Sequence, residues 1–411
     1  MDKSFAPVPL SRTDRSVLGR WWWTVDRMML FLVLILALFG VAMVATASPS
    51  VAQRIGLEDY HFLFRHLAFL VVSVVLILAL SFVEPRMILR IFTILFILSV
   101  LAIIAVLFVG QEIKGATRWV HFLGVSVQPS EFLKPSFSVI AAWLVAKQQE
   151  SMSGGGSDDE GKIGFHGFNI TVLIYICLIA LLLMQPDLGM SVVLTCIFAV
   201  QIFLAGLRFR YLAVLGGVGV GGLGLAYLFL DHVRGRIDCF IDPSSRDCEQ
   251  VERSLDSFRN GGLFGTGPGQ GEEKLLLPDA HADFIFSVLA EEMGAISTIL
   301  VIGLFALILL RGIRRLMDNG DIFSVLAVGG LLTMFGVQAI VHMGSSVSLL
   351  PAKGMTLPFI SYGGSSLLST SMAFGIILAL TRSKNRPSIA KYGLRMKRSV
   401  KHLQEEMVQA E

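Results

Sequence analysis

Apolar runs of about twenty residues, separated by short polar breaks, fill most of the chain from residue 27 to residue 381. A helix needs roughly 20 apolar residues to cross a bilayer. On that measure the pattern predicts about ten spans, at 27–47, 64–83, 87–109, 129–147, 167–184, 189–206, 211–230, 284–311, 322–343 and 363–381. The one long interruption is a polar stretch from Asp231 to Asp283. It opens DHVRGRIDCFIDP, passes through the glycine-rich RNGGLFGTGPGQG and closes on HADFIF, where the eighth span begins. A chain that spends its length crossing a bilayer and places some fifty polar residues between two spans concentrates chemistry there.

Composition agrees. Hydrophobic residues are 54% of the 411, charged residues 16%, and mean hydropathy is +0.71. This predicts an all-α polytopic membrane protein with one large loop between spans 7 and 8. The first 28 residues are basic and polar without a cleavage pattern, so no signal peptide is expected. Lys3, Arg12, Arg15, Arg20 and Arg27, then Arg86 and Arg90, Lys147 and Lys162, Arg208 and Arg210, and Arg311, Arg314 and Arg315 fall on one side. The positive-inside rule puts that side, and both termini, in the cytoplasm. The expected division is a cytoplasmic tail 1–26, a transmembrane domain 27–383 with the loop 231–283 facing outward, and a cytoplasmic tail 384–411. The run SMSGGGSDDEGKIG (151–164) reads as a flexible linker. Nothing in the chain points to nucleic acid.

Four cysteines are present. Cys177 and Cys196 sit in apolar runs, whereas Cys239 and Cys248 can bridge if the loop is extracytoplasmic. No Cys or His spacing marks a metal site.

Charged residues at the membrane edge carry the candidate chemistry, because ionisable groups there are costly and usually functional. Arg65 and His66 stand at such an edge, where snorkelling into headgroups is the competing reading. The loop before span 4 gathers Lys114, Arg118, Trp119 and His121, and Glu131 and Lys134 follow three apart on one helical face. In QPDLG, Asp187 either caps the next helix or serves a site. Arg234 and Arg236 are two apart; on extended backbone they point the same way and suit a diphosphate. The glycine run lets backbone approach backbone or ligand closely, and lacks the Gly-Lys-Ser/Thr of a phosphate-binding loop. Asp283 reads either as a helix cap or as a general base at the water–membrane boundary. Glu291 and Glu292, about 12–14 Å further along that helix at ~1.5 Å per residue, bond inside the bundle on this reading. Residues 342–369, with two prolines, several glycines and Lys353, predict a broken or re-entrant segment.

KGATRWV (114–120), QPSE (128–131), QPDLG (185–189), HADFIFSVLAEE (281–292) and PAKGMTLPFISYGGSS (351–366) together resemble the SEDS family, named for shape, elongation, division and sporulation. The resemblance runs over about residues 25–385. TLP at 356–358 and the long basic N-terminal tail are more similar to the division branch than to the elongation branch. It implies a peptidoglycan glycosyltransferase of the cytoplasmic membrane that polymerises lipid II at the septum. The implied partners are a class B, FtsI-like penicillin-binding protein and FtsQ–FtsL–FtsB-like division proteins. The family's loop aspartate falls on Asp283 and its tryptophan on Trp119; Arg65, Glu131, Arg234 and Lys353 match polar positions of its central cavity. The family usually shows HTD where this chain has HAD, so Ala282 removes a hydroxyl and keeps the acid.

On this reading Asp283 takes the proton of an acceptor hydroxyl, while Arg234, Arg236 or Lys353 neutralises the leaving diphosphate. A divalent cation, Mg or Mn, can share that task, although no dedicated cage is visible. Two other classes compete. A lipid II flippase would use Glu131, Lys134, Glu291 and Glu292 as a pathway, and a noncatalytic scaffold would leave the outward acid and arginines unexplained.

Overall fold

A computed structural model of the protein describes residues 16–109, 118–122, 125–153, 166–207, 209–229, 231–241, 248–351 and 354–382. Lys114 and Lys353 lie outside the described residues. The chain divides into two units, residues 27–381 and the terminal segments 1–26 and 382–411. In the terminal unit, helix α1 (Val17–Thr24) is capped by Ser16, whose hydroxyl accepts from Gly19 N at 2.9 Å. Arg382 Nε donates to Thr24 Oγ1 at 3.2 Å.

The main unit is a helical bundle. Its apolar helices are α2 (Arg27–Arg54), α3 (His61–Ser81), α4 (Pro85–Val109), α5 (Pro129–Ser153), α6 (Gly167–Met184), α7 (Leu188–Leu204), α8 (Phe209–Phe229), α11 (Ile285–Met317), α12 (Ile322–Ser346) and α13 (Gly364–Leu380). They follow the ten apolar runs. Seven are long and apolar enough to cross a membrane; α7 and α13 are apolar but only 17 residues long, and α5 carries the Glu131 and Lys134 charges. Helix α12 packs on α5, α7, α11 and α13, and α13 packs on α3 and α5. Side-chain amides and hydroxyls join these helices, as when Gln201 Nε2 donates to Ser138 O (2.7 Å) and Leu326 O (3.2 Å). In hydrocarbon such bonds contribute about 0.6–2 kcal/mol each. Helix α8 has no buried side chain and stands at the edge of the bundle.

The large polar stretch between spans 7 and 8 carries two short helices of its own. Helix α9 (Asp231–Ile241) packs on α8. Helix α10 (Glu249–Gly261) packs on α11 and α12. Its Ser254 hydroxyl bonds Ser287 Oγ at 2.6 Å and Ser346 O at 2.7 Å. A disulfide joins Cys239 of α9 to Cys248 at the start of α10, while Cys177 and Cys196 remain thiols.

Helix α11 is broken. Gly294 adopts φ 76° and ψ 179°, which interrupts the helical ladder between Met293 and Ala295. Backbone groups freed inside a bundle must find partners, and the glycine run supplies them. Thr266 N and Gly267 N donate to Glu291 O (2.9 Å) and Glu292 O (3.0 Å), while Ala295 N and Ile296 N donate to Gly262 O (2.9 Å) and Leu263 O (3.3 Å). The run is therefore a backbone graft onto α11. The paired acids complete the graft. Glu291 Oε1 accepts from Glu272 N (2.8 Å) and Glu273 N (3.1 Å), and Glu292 pairs with Lys274 of a 3-10 turn, Glu273–Leu275.

Between α12 and α13 the described residues, 347–351 and 354–363, are non-helical, as a broken segment should be. Its backbone passes so close to α2 that a Cβ at Gly40 would lie 2.1 Å from Phe359 O.

The break at Gly294 sets a test. A Cβ there would lie 2.4 Å from Gly265 N and from Leu263 O, on a backbone with positive φ. Gly294→Ala is expected to destabilise the fold by about 2–4 kcal/mol. Gly303→Ala, on the same helix with open space around it, should stay within about 0.5 kcal/mol of wild type. Thermal unfolding in detergent compares them; equal midpoints would contradict the graft.

Candidate functional site

One cavity of about 510 Å³ lies where the polar stretch meets the bundle. Six parts of the chain deliver its charged residues. Helix α3 supplies Arg65. A hairpin of β1 (Val120–Phe122) and β2 (Val125–Val127), with Val120 opposite Val127, brings Arg118 and Trp119 to the same open end as Gln128. Glu131 follows on the first turn of α5, and Asp187 stands at the start of α7. Arg236 of α9, and Asp279, His281 and Asp283 from the approach to α11, complete the wall.

Asp283 is half-buried and directly precedes Phe284, which occupies the cap position of α11. Its backbone is fixed from both sides. Asp283 N donates to Asp279 O (2.9 Å) to close one turn, and the neighbouring carbonyls accept from the 347–363 segment, Ala282 O from Ser361 Oγ (2.7 Å) and His281 O from Tyr362 N (2.9 Å). Gly354 comes against the carboxylate; a Cβ there would lie 3.1 Å from Asp283 Oδ2.

The cations are placed with equal care. Arg118 donates to Gln185 O (3.1 Å) and to Pro186 O, and faces Asp187 Oδ1 at 3.8 Å. Asp187 does both things its sequence allowed: one oxygen caps α7 through Met190 N (3.2 Å), and the other accepts from Gln128 Nε2 (3.3 Å) at the cavity. Arg65 hydrogen-bonds the Tyr362 side chain. Glu131 pairs with Lys134 at 2.7 Å, both buried, and Ser369 Oγ donates to Glu131 O (2.6 Å) to lock α13 against α5. Arg236 lines the cavity with an exposed side chain. Partial withdrawal of the guanidinium from water lowers its pKa, Arg118 adds to that shift, and Asp283 and Asp187 oppose it. An arginine shifted this way remains charged.

Of the residues read from the sequence as candidates, Arg65, Trp119, Glu131, Arg236 and Asp283 line this cavity. Arg234 does not. The expectation that it points with Arg236 assumed extended backbone, but α9 turns about 100° per residue and sends the two in nearly opposite directions. Arg234 instead faces Asp238 at 3.8 Å and lies over the Tyr227 ring. Sequence reasoning gave no site role to Tyr362, His281, Asp279 or Gln128. Tyr362 and Gln128 lie within PAKGMTLPFISYGGSS and QPSE, which was the available signal. Among the described residues no three His, Cys, Asp or Glu side chains gather as a metal cage, and positive charge comes from Arg65, Arg118 and Arg236.

Fold and cavity together define a polytopic membrane protein with a charged site at the base of its large polar block. A family model described as "Cell cycle protein", FtsW/RodA/SpoVE, matches residues 26–386. The chain belongs to that family. A Caulobacter vibrioides protein named "Probable peptidoglycan glycosyltransferase FtsW" is 41% identical over 375 residues, covering 91% of this chain and 93% of that one. A Coxiella burnetii protein of the same name is 35% identical over 372 residues, covering 87% and 96%. Among solved structures, a chain from work on the coordination of polymerization and crosslinking by a peptidoglycan synthase complex superposes with TM-score 0.72 at 26% identity, covering 88% of this chain and 98% of that one. Thermus thermophilus RodA, a rod shape determining protein, gives 0.64 at 27% identity, covering 89% and 99%.

His281 packs in a triangle of rings with Phe62 (4.5 Å) and Tyr362 (5.1 Å), and burial pushes its pKa down to about 4, opposed by Asp279 and assisted by Arg54. The folded protein holds it neutral, while the unfolded chain protonates it near 6.5. Its contribution is therefore complete above pH 6.5 and is lost as pH falls through about 4. Unfolding midpoints of wild type should fall more steeply over that window than those of His281→Phe; parallel curves would contradict the assignment.

Proposed function

We propose that this protein is a peptidoglycan glycosyltransferase that polymerises lipid II into glycan strands at the division septum. The observation that carries the reading is Asp283 set in one cavity with Arg65, Arg118 and Arg236. The relatives named FtsW support the same reading, and their higher identity favours the division role over the elongation role of RodA.

In the reaction, the 4-hydroxyl of an acceptor GlcNAc attacks the anomeric carbon of a donor chain. Asp283 takes the hydroxyl proton as the new C–O bond forms. The bond to the lipid diphosphate breaks on the opposite face, so an α-linked donor gives a β-linked product by one inverting displacement. Arg236, Arg118 and Arg65 stabilise the charge that develops on the leaving diphosphate. Trp119 and Tyr362 offer flat faces for the sugars, and the lipid tail enters from the bilayer between helices. Lys114 and Lys353 belong to the same proposal on sequence grounds.

The basic segments support cytoplasmic termini, and the Cys239–Cys248 disulfide supports an oxidising, outward environment for the polar block. The likeness to a chain of a peptidoglycan synthase complex supports a crosslinking partner of the class B penicillin-binding type. FtsQ–FtsL–FtsB-like proteins are proposed as activators. A flippase reading is weakened because Glu291 and Glu292 are spent on the polar block, which leaves a pathway without its deepest acids.

The test uses the chain purified with its cognate class B penicillin-binding protein, transpeptidase blocked, and lipid II as substrate. Wild type should give glycan polymer on a gel. Asp283→Asn, folded and bound to the partner, should lose roughly 10²–10⁴-fold, the usual worth of a general base. Equal polymer from both would remove Asp283 from catalysis. Silence from both with activators supplied, together with lipid II crossing proteoliposomes, would establish the flippase instead.

A further inference from the structure

Arg236 reaches the cavity from a helix with little anchorage of its own. Among the described side chains of α9, Val233 alone is buried, and the helix packs on α8, which buries none. The polar contacts of α9 run the same way. Tyr227 Oη donates to Asp238 Oδ1 (2.9 Å), and Arg234 lies over the Tyr227 ring. Helix α10 is different. Val251, Ser254, Ser257 and Gly261 are buried against the bundle, and Ser254 bonds both α11 and α12. The Cys239–Cys248 disulfide is a second covalent link between the two, beside the chain itself, and it shortens the tether that joins them. Cys239 lies three residues from Arg236, just under one helical turn, and Cys248 is buried at the N-cap of α10.

We infer that this disulfide is a positioning element for the diphosphate site: it ties α9 to the anchored α10 and so holds Arg236 over the cavity beside Asp283 and Asp187. The inference rests on the polymerase reading for its substrate, but not for its structural half. With the bond closed, α9 cannot ride outward with α8, and the guanidinium stays where a leaving diphosphate needs it. With the bond open, α9 depends on Val233 and on α8. Thiol–disulfide exchange then governs the site. An extracytoplasmic dithiol attacks the bond, passes two electrons and two protons to Cys239 and Cys248 as thiols, and closes to its own disulfide; a disulfide-bearing oxidoreductase reverses the exchange. Because Cys177 and Cys196 are thiols already, a reductant has one disulfide to open in this chain.

Two measurements on the full-length protein in complex with its partner test this. Hydrogen exchange before and after phosphine reduction needs no activity. Residues 231–241 should exchange faster after reduction while 249–261 stay protected; unchanged protection over 231–241 would overturn the inference whether or not the protein polymerises anything. Polymerisation kinetics then read the site. Cys239→Ser/Cys248→Ser, like reduced wild type, should lower kcat/KM for lipid II about tenfold, the order of one charge-assisted contact, with the loss in kcat and KM changed less than about twofold, because the contact strengthens as charge develops on the diphosphate. In an Arg236→Ala background the same cysteine changes should add nothing, because the residue they position is gone. Full activity without the disulfide, or losses that multiply in the combined variant, would overturn the positioning role. A wild type that makes no polymer would count against the polymerase reading alone, with hydrogen exchange still deciding the clamp.

Discussion

The structure depends on one ammonium group inside the bundle. Lys274 Nζ has three protons and three acceptors: Glu292 on α11, Thr46 O on α2 (3.2 Å) and Gly269 O in the glycine run (2.8 Å). A buried charge is tolerated only when paired and hydrogen-bonded, and here each bond goes to a different part of the chain. Together with Glu291, this fixes the end of the glycine run to the helix it interrupts. The ten residues from Lys274 to Asp283 then have little freedom. Arg54 donates to Leu277 O (3.0 Å), Leu277 is buried, and the turn at Asp279 closes on Asp283. The candidate base is held by this chain of constraints.

The cavity mixes charge. Its lining holds three guanidinium groups, each on a different part of the chain, and the carboxylates of Asp187, Asp279, Asp283 and Glu131. Arg118 sits on the turn between α6 and α7, Arg65 on α3, and Arg236 on a helix coupled to the edge of the bundle. Two of the three are thus set by the bundle, while the third depends on the polar block. A site built this way can admit a large anionic lipid and still bring charge onto its diphosphate.

Much of this was legible in the sequence, for a physical reason. Transmembrane helices must satisfy their own backbone and be apolar over about twenty residues, so all ten runs foretold helices. Charges at the membrane edge are costly, so Arg65, Glu131 and Asp283 stood out. What stayed hidden depends on long-range packing. Lys274, between two glutamates and three leucines, looks like any surface lysine until Glu292 is brought against it. The graft at Gly294 needs a partner about thirty residues earlier, which no local pattern announces. Helices α9 and α10 are short, polar and stabilised by a disulfide and by the bundle, so their propensity gave little sign. That is why Arg234 and Arg236 read as a pair and fold as a divergence.

The most direct test of this account is a double-mutant cycle between Lys274 and Glu292, read by unfolding in detergent and by polymerisation. Lys274→Met alone leaves a buried carboxylate without its partner and should cost roughly 3–5 kcal/mol, with loss of polymer. Adding Glu292→Leu should restore most of the stability, because an apolar pair can replace a buried ion pair, and should restore polymer in the same measure if the lock serves to hold Asp283. A double variant as unstable as the single one, or one that regains its fold yet makes no polymer, would contradict the claim that this lock acts by positioning the acid.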